Sequence, residues 1–181
     1  MRTEVRLSGR GGQGLITAGI ILAEACGVYE DKEVVQTQSY GPEARGGASR
    51  AEVVISKQQI RYPRAYNPDI LVALSQEAFD RFAPQVKDDG LIFADSFYVK
   101  SSRSNVISMP FSETARTEIG REVVTNILML ASLSATTKIV KLDSLKQAVK
   151  HRVRSAFIDM NMKALDIGFK LGAEKWKERS S

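Results

Sequence analysis

The chain has 181 residues, of which 43% are apolar and 26% charged, and its formal net charge is +5. That balance excludes a disordered, collagenous or coiled-coil protein, and the length suits one domain able to bury a core of its own. One cysteine, Cys26, and one histidine, His151, exclude an internal disulfide, a cysteine-only zinc site and an iron–sulfur cluster carried by this chain. If the protein takes part in redox or metal chemistry, the sequence places the metal on another chain.

Apolar runs such as Ile127 to Ala131 are far too short to span a bilayer. Met1 to Gly9 shows no basic segment followed by an apolar stretch, so no signal peptide is expected, and a cytoplasmic, non-membrane protein is. The positive excess lies at the end of the chain, where residues 140–181 carry ten basic and five acidic side chains. A basic helical tail suits either nucleic acid or solvent. Without aromatic interleaving or long basic runs, a solvated face is the expectation, and no nucleic-acid partner.

In chain order, Thr3 to Leu7 alternates and predicts a first strand, and Gln13 to Cys26 has helical spacing, with Gly27 placed to stop it. Glu33 to Tyr40 predicts a second strand. Ala51 to Ile55 predicts a third, with Gln59 to Tyr62 as its return in a hairpin. Ile70 to Leu74 and Leu91 to Ala94 are continuous apolar runs suited to strands buried on both faces, and the helix Gln76 to Ala83 between them makes a β-α-β unit. Val106 to Met109 predicts a last strand, ended by Pro110.

The rest reads as helical. Val123 to Ser134 is apolar around most of its circumference, which predicts burial in a core or an interface. Asp143 is placed to cap a helix that runs through His151. The last helix carries two adjacent stripes, one of Val153, Phe157, Met160, Ala164, Gly168 and Leu171, the other of Ile158, Met162, Leu165 and Phe169. The second stripe belongs either to a partner subunit or to one wide core-facing surface. The expected fold is a single domain, residues 1–181, of three-layer α/β/α class, with a mostly parallel mixed sheet and C-terminal helices.

Two glycine-rich loops hold the chemistry. Gly9-Arg10-Gly11-Gly12-Gln13-Gly14 follows a strand and opens a helix, so its backbone N–H groups and the helix dipole suit an anion. A dinucleotide site needs a carboxylate at the end of the second strand, which instead reads Gln36-Thr37-Gln38-Ser39-Tyr40. A P-loop needs Gly-Lys-Ser/Thr, and Leu15 follows Gly14. A plain β-to-α turn explains fewer glycines than are present. The second loop, Ser39-Tyr40-Gly41-Pro42-Glu43-Ala44-Arg45-Gly46-Gly47, would emerge at the same carboxyl edge of a parallel sheet, where ligands collect. Arg45 offers a planar fork to phosphate, or else pairs with Glu43 to shape the loop.

This pair of loops resembles the gamma subunit of 2-oxoacid:ferredoxin oxidoreductases. The resemblance continues at Thr125-Asn126 and at Asn161-x-Lys163-Ala164-Leu165-x-x-Gly168, and covers nearly the whole chain. It implies a non-catalytic subunit of an enzyme that oxidatively decarboxylates a 2-oxoacid to its acyl-coenzyme A and passes electrons to ferredoxin. Thiamine diphosphate, Mg2+ and [4Fe-4S] clusters would sit on alpha, beta and ferredoxin-like delta partners, and none on this chain. Coenzyme A, as substrate, would meet Gly11, Gly12, Gln13, Gly14, Ser39, Gly41, Glu43 and Arg45. The run into Ala48-Ser49-Arg50-Ala51-Glu52 looks most like the 2-oxoglutarate type. Pyruvate, branched-chain and indolepyruvate types are the alternatives within the family, and a free-standing nucleotide-binding or regulatory module the alternative outside it.

Overall fold

In the computed structural model, residues 2–38 and 48–180 are described. Six strands form one sheet in the order β2-β3-β1-β4-β5-β6. They are β1 (Arg2–Gly9), β2 (Glu33–Gln38), β3 (Ser49–Ser56), β4 (Ile70–Ala73), β5 (Leu91–Asp95) and β6 (Val106–Met109). β1, β4, β5 and β6 run parallel, and only β3 runs against its neighbours. The expected mixed, mostly parallel sheet is therefore present.

Alternation along the strands sorts side chains to two faces. Val5 and Leu7, Ile70 and Val72, Phe93, and Ile107 and Met109 face the larger core. Leu71, Ala73, Ile92 and Ala94 face the smaller one, covered by Ala78, Phe79 and Phe82 of α2 (Gln76–Phe82). Ser75 caps α2, accepting from Ala78 N at 3.3 Å. The larger core is roofed by α1 (Leu15–Gly27), a short α3 (Phe111–Thr114), α4 (Thr125–Thr137), α5 (Leu142–Arg152) and α6 (Ile158–Ser180). α1 lies on β1 to β3, α4 packs beside α1, and α6 packs chiefly on α4. The three layers are thus very unequal.

Three local expectations differ from the structure. Gln59 to Tyr62 forms no strand; β3 pairs with β1 on one side and β2 on the other, so it has no free edge for a return. Gly27 does not stop α1 in a left-handed turn: it is the last helical residue, and Val28 N continues the ladder to Glu24 O at 2.8 Å. The left-handed residue is Asp31, φ 52°. Asp143 is not the cap of α5 but lies in its first turn, where a carboxylate suits the dipole. Lys141 is the N-cap residue, and its N–H donates to Glu30 Oε1 at 2.6 Å.

α4 is core, not interface, since every residue from Thr125 to Thr136 is buried. The two stripes of α6 do not separate as two surfaces. Ala164 and Gly168 of one and Leu165 of the other share the buried face with Asn161 and Gly172, while Ile158, Met162 and Phe169 are half-buried.

The α1–α5 contact is electrostatic as well as apolar. Buried Glu24 meets His151 Nδ1 at 2.6 Å through Oε1 and Arg152 Nε through Oε2. Burial pushes the Glu24 carboxyl up, but the hydrogen bonds from Arg152 and His151 outweigh it and hold the group below its ordinary 4.5. A depressed carboxylate stabilises the fold above its unfolded value and loses that contribution as pH falls through the lower, folded one. Glu24→Gln is therefore expected to cost about 1 kcal/mol at neutral pH, its partners being half-exposed. Urea unfolding curves of variant and parent should converge below pH 4.5. Cys26, further along the same helix, is fully buried, and burial pushes its thiol up to about 12. Iodoacetamide is expected to leave it unmodified at mildly alkaline pH until the chain is unfolded, which mass spectrometry would register.

Candidate functional site

β1 ends at the carboxyl edge of the sheet, and the chain turns through Arg10 to Gly14 into α1. The geometry of this turn favours glycine at three positions. A Cβ at Gly9 would stand 2.3 Å from Gln13 Oε1. Gly12 has φ +89° with open space around it, and Gly14, the N-cap of α1, has φ +71° and would drive a Cβ to 2.5 Å from Asn126 Nδ2. Both lie in the left-handed region that side chains resist.

Two side chains pin the loop. Gln13 Oε1 accepts from Arg10 N at 2.7 Å, and Gln13 Nε2 donates to Leu74 O at 3.1 Å, tying the turn to the end of β4. Asn126, at the start of α4, donates Nδ2 to Gly14 O at 3.0 Å. Gln13 is thus a positioning residue with both ends of its amide engaged. No side chain caps α1 and no acidic residue lies in its first turn. The N–H groups and positive dipole end of that turn are left for an outside acceptor.

The loop divides two clefts. One, of about 560 Å³, lies where the N-terminal ends of α1, α4 and α6 converge, and is lined by Gly12, Gly14, Thr17, Arg121, Phe157 and Asn161 among others. Its rim is apolar, with Val123 71% and Phe157 49% exposed. Asn161 donates Nδ2 to Phe157 O at 2.8 Å, which fixes the start of α6 beside it. The second cleft, about 380 Å³, holds Arg10, Gln13, Tyr98, Ser112, Glu122 and Thr125. Tyr98 Oη donates to Glu122 Oε1 at 2.8 Å, and Arg116 Nη1 lies 2.9 Å from Glu122 Oε2. The bonds from Tyr98 and then Arg116 hold the Glu122 carboxyl below the usual range, while the same bond raises the Tyr98 phenol. The guanidinium of Arg10 sits over the Tyr98 ring at 5.6 Å, and neither Arg10 nor Arg121 has an acidic partner among the described residues. At the end of β5, buried Asp95 accepts from Phe97 N at 3.1 Å and from the N–H and hydroxyl of Ser112; burial pushes its carboxyl up. No cluster of three His, Cys, Asp or Glu suited to a metal occurs among the described residues.

Of the residues singled out from the sequence, Gly11, Gly12, Gln13 and Gly14 come together here. Ser39, Gly41, Glu43 and Arg45 lie outside the described residues. Their flanks are at the same edge: Gln38 and Leu7 both pair with Ala51, and Gly9 pairs with Ser49. The sequence presents Val123 and Phe157 only as apolar helix positions and does not mark Arg121 or Tyr98, because nothing local shows which loops and helix ends meet. Asn126 and Asn161 belonged to the resembling segments, and the structure supplies their tasks.

The sequence profile of the family described as Pyruvate ferredoxin/flavodoxin oxidoreductase matches residues 4–171. The 2-oxoglutarate synthase subunit KorC of Methanocaldococcus jannaschii is 43% identical over 179 residues, covering 96% of each chain. The ketoisovalerate oxidoreductase subunit VorA of Methanothermobacter thermautotrophicus is 37% identical over 170 residues, which cover 91% of this chain and 35% of that longer one. The crystal structure of a keto/oxoacid ferredoxin oxidoreductase gamma subunit from Geobacter sulfurreducens superposes with a TM-score of 0.88 at 40% identity, covering 97% of this chain and 98% of that one. With residues 4–171 matched by the family profile and relatives 43% and 40% identical over almost the whole chain, this chain belongs to the pyruvate ferredoxin/flavodoxin oxidoreductase family.

Proposed function

We infer that the chain is the gamma subunit of a 2-oxoacid:ferredoxin oxidoreductase, that the 2-oxoacid is 2-oxoglutarate, and that the chain contributes part of a coenzyme A site. One observation carries the reading of the site: the uncapped N-terminus of α1 opens, through a loop of exposed Gly11 and Gly12, between a cleft with an apolar rim and a polar one. Coenzyme A has that dual character, with a diphosphate and a 3′-phosphate on one part and a long, weakly polar arm on the other. Backbone N–H groups and Arg10 suit the phosphates, and Val123 and Phe157 suit an apolar portion. The identity to a 2-oxoglutarate synthase subunit, higher than that to a ketoisovalerate oxidoreductase subunit, supports 2-oxoglutarate.

On this reading the thiamine diphosphate, Mg2+ and [4Fe-4S] clusters belong to alpha, beta and ferredoxin-like delta partners in the cytoplasm, and the chain forms one domain of a hetero-oligomer. No helix among the described residues is long and apolar enough to cross a membrane. The chain alone should not reduce a viologen dye with 2-oxoglutarate and coenzyme A, and the co-expressed complex should. Turnover by the isolated chain would overturn the subunit reading.

Within the complex, Arg45→Ala is expected to raise the coenzyme A KM about 10- to 150-fold, the loss of a charge-assisted contact worth about 1.5–3 kcal/mol. Arg45→Lys should fall between, keeping charge without the fork. Gln13→Ala should also raise it, through loss of the loop's anchor rather than of a ligand contact. Decarboxylation in the absence of coenzyme A should survive in all three. An unchanged KM in an intact Arg45→Ala complex would remove Arg45 from the site, and the outcome of equal harm from Glu43→Ala with loss of assembly would make the two a loop-shaping pair.

A further inference from the structure

Between β3 and β4, residues 57–68 cross the sheet face opposite α1 without forming a helix or strand. The crossing is held by buried charge. Arg6 Nη2 donates to Ala65 O, Glu52 Oε2 accepts from Ala65 N at 3.4 Å, and Arg2 Nη2 donates to Arg64 O at 3.2 Å. Ala65 is therefore buried, while the residues around it are turned out: Tyr62 is 72% and Tyr66 68% exposed. Pro63 and Pro68 further restrict the backbone. Lys57, Arg61 and Arg64 are exposed and have no acidic partner among the described residues. The stretch has no Asp or Glu of its own. Of the neighbouring acids, Glu4 pairs with Arg2 at 2.9 Å and Asp69 with Lys87, while the exposed Asp88 and Asp89 lie beside Asn67 at the far end of the strap.

We propose that this strap, presenting Tyr62, Tyr66, Arg61 and Arg64, is a preformed docking surface for an acidic face of a partner subunit, away from the glycine-loop edge. The proposal rests on the gamma-subunit reading. Tyr and Arg dominate interface energetics, because each brings a large contact area and directed hydrogen bonds. An exposed segment anchored by a buried ion pair and stiffened by prolines loses little entropy when a partner covers it. Three cations with no acidic partner among the described residues, on a stretch without Asp or Glu, select an acidic partner and repel a basic one. A single-stranded RNA would satisfy tyrosines and arginines too, but the chain's family assembles from protein subunits, so an acidic protein face is the occupant argued.

The test uses the chain co-expressed with the alpha and beta subunits, in the unaltered form and as Tyr62→Ala/Tyr66→Ala, Arg61→Glu/Arg64→Glu and Arg61→Lys/Arg64→Lys. Affinity between the purified chain and the remaining subunits is measured at low and high salt, with a single-stranded RNA oligonucleotide as a second probe. The first two variants should bind about 30-fold more weakly or worse, the size of a hot-spot loss. The lysine variant should fall between the parent and the charge reversal, keeping charge without the fork, binding should weaken with salt, and the thermal midpoint of each isolated chain should not move, because the altered side chains are exposed. Assembly indifferent to the tyrosine and charge-reversal substitutions overturns this proposal alone. RNA binding lost in those variants while assembly is kept overturns it in favour of a nucleic-acid surface. Failure of the unaltered chain to assemble sinks the gamma-subunit reading, and this proposal with it.

Discussion

Arg6→Ala is expected to cost about 3–5 kcal/mol of folding stability, the penalty for leaving one partner of a buried ion pair alone. The Arg6 and Glu52 side chains are 3% and 8% exposed, and Arg6 Nη2 lies 2.8 Å from Glu52 Oε1. All three guanidinium nitrogens are engaged: Nε also donates to Glu52 Oε1 at 2.8 Å, Nη1 donates to Gln85 Oε1, Nη2 to Ala65 O, and Cζ lies 5.1 Å from the centre of the Phe82 ring. Burial draws the Arg6 pKa down, and the Glu52 charge pulls against it. Arg50, at 3.7 Å from the same Glu52 oxygen and one-third exposed, softens the loss without replacing the hydrogen bonds. Arg6→Met with Glu52→Leu should cost less than half as much as Arg6→Ala, since no uncompensated charge remains. Denaturant unfolding of the three chains gives the energies. Limited proteolysis should find residues 57–68 newly cleavable in Arg6→Ala, because their anchor is gone. A loss below about 1 kcal/mol in Arg6→Ala would mean that water reaches Glu52 and that the pair does not hold the strap.

That network shows where the sequence was readable and where it was not. β4 and β5 are legible because strands buried on both faces write continuous apolar runs, and the runs at Ile70 and Leu91 have few other uses, while β6, an edge strand with Ser108 exposed, is marked by the Pro110 that ends it. β3 was found, but its partner was misread. Pairing is a long-range choice, and nothing between Ala51 and Tyr62 records that β2 and β1 occupy both of its edges. Arg6 belongs to the polar half of the alternation from Thr3 to Leu7, which ordinarily faces water, and nothing local marks Glu52 as its partner. Only the crossing of residues 57–68 over that face makes them buried partners. The glycine loop was legible because positive φ at Gly12 and Gly14 leaves a compositional trace. The tasks of Gln13, Asn126 and Asn161 left none, since each depends on a backbone atom supplied from elsewhere or from a turn whose position the fold decides. The apolar-rimmed cleft was invisible for the same reason: it exists because α6 approaches α4 at one angle and depth.

That approach is set by two glycines, and replacing either is expected to be severe. A Cβ at Gly168 would stand 2.1 Å from Leu128 O and 2.9 Å from its Cα; at Gly172, 2.6 Å from Ser132 O and 2.7 Å from its Cα. These are backbone atoms, so no side chain can swing away, and α6 has to lift. Ser132 Oγ also donates to Gly168 O at 2.7 Å across the seam, and lifting breaks that bond as well. Alanine in a helix interior gains about 0.5–1 kcal/mol of intrinsic propensity over glycine. Overpacking a tight interface costs about 1–3 kcal/mol or more, and the lost hydrogen bond about 1. The clash wins, and Gly168→Ala should lose about 3 kcal/mol net, with Gly172→Ala somewhat less because its nearest contact, to a carbonyl oxygen, is 2.6 Å rather than 2.1 Å. A peptide of the α6 sequence should become more helical with the same substitution, which separates propensity from packing. Lys170→Ala, exposed on the other side of the helix, should be near neutral. The damage should reach the site as well. Asn161 lies two turns before Gly168 and lines the cleft beside Gly14, so a lifted α6 withdraws one wall while the glycine loop stays pinned by Gln13. In complexes that still assemble, Gly168→Ala should therefore raise the coenzyme A KM, whereas Lys170→Ala should not. Unfolding of Gly168→Ala at or above the parent's denaturant midpoint would show that the two helices do not meet backbone to backbone.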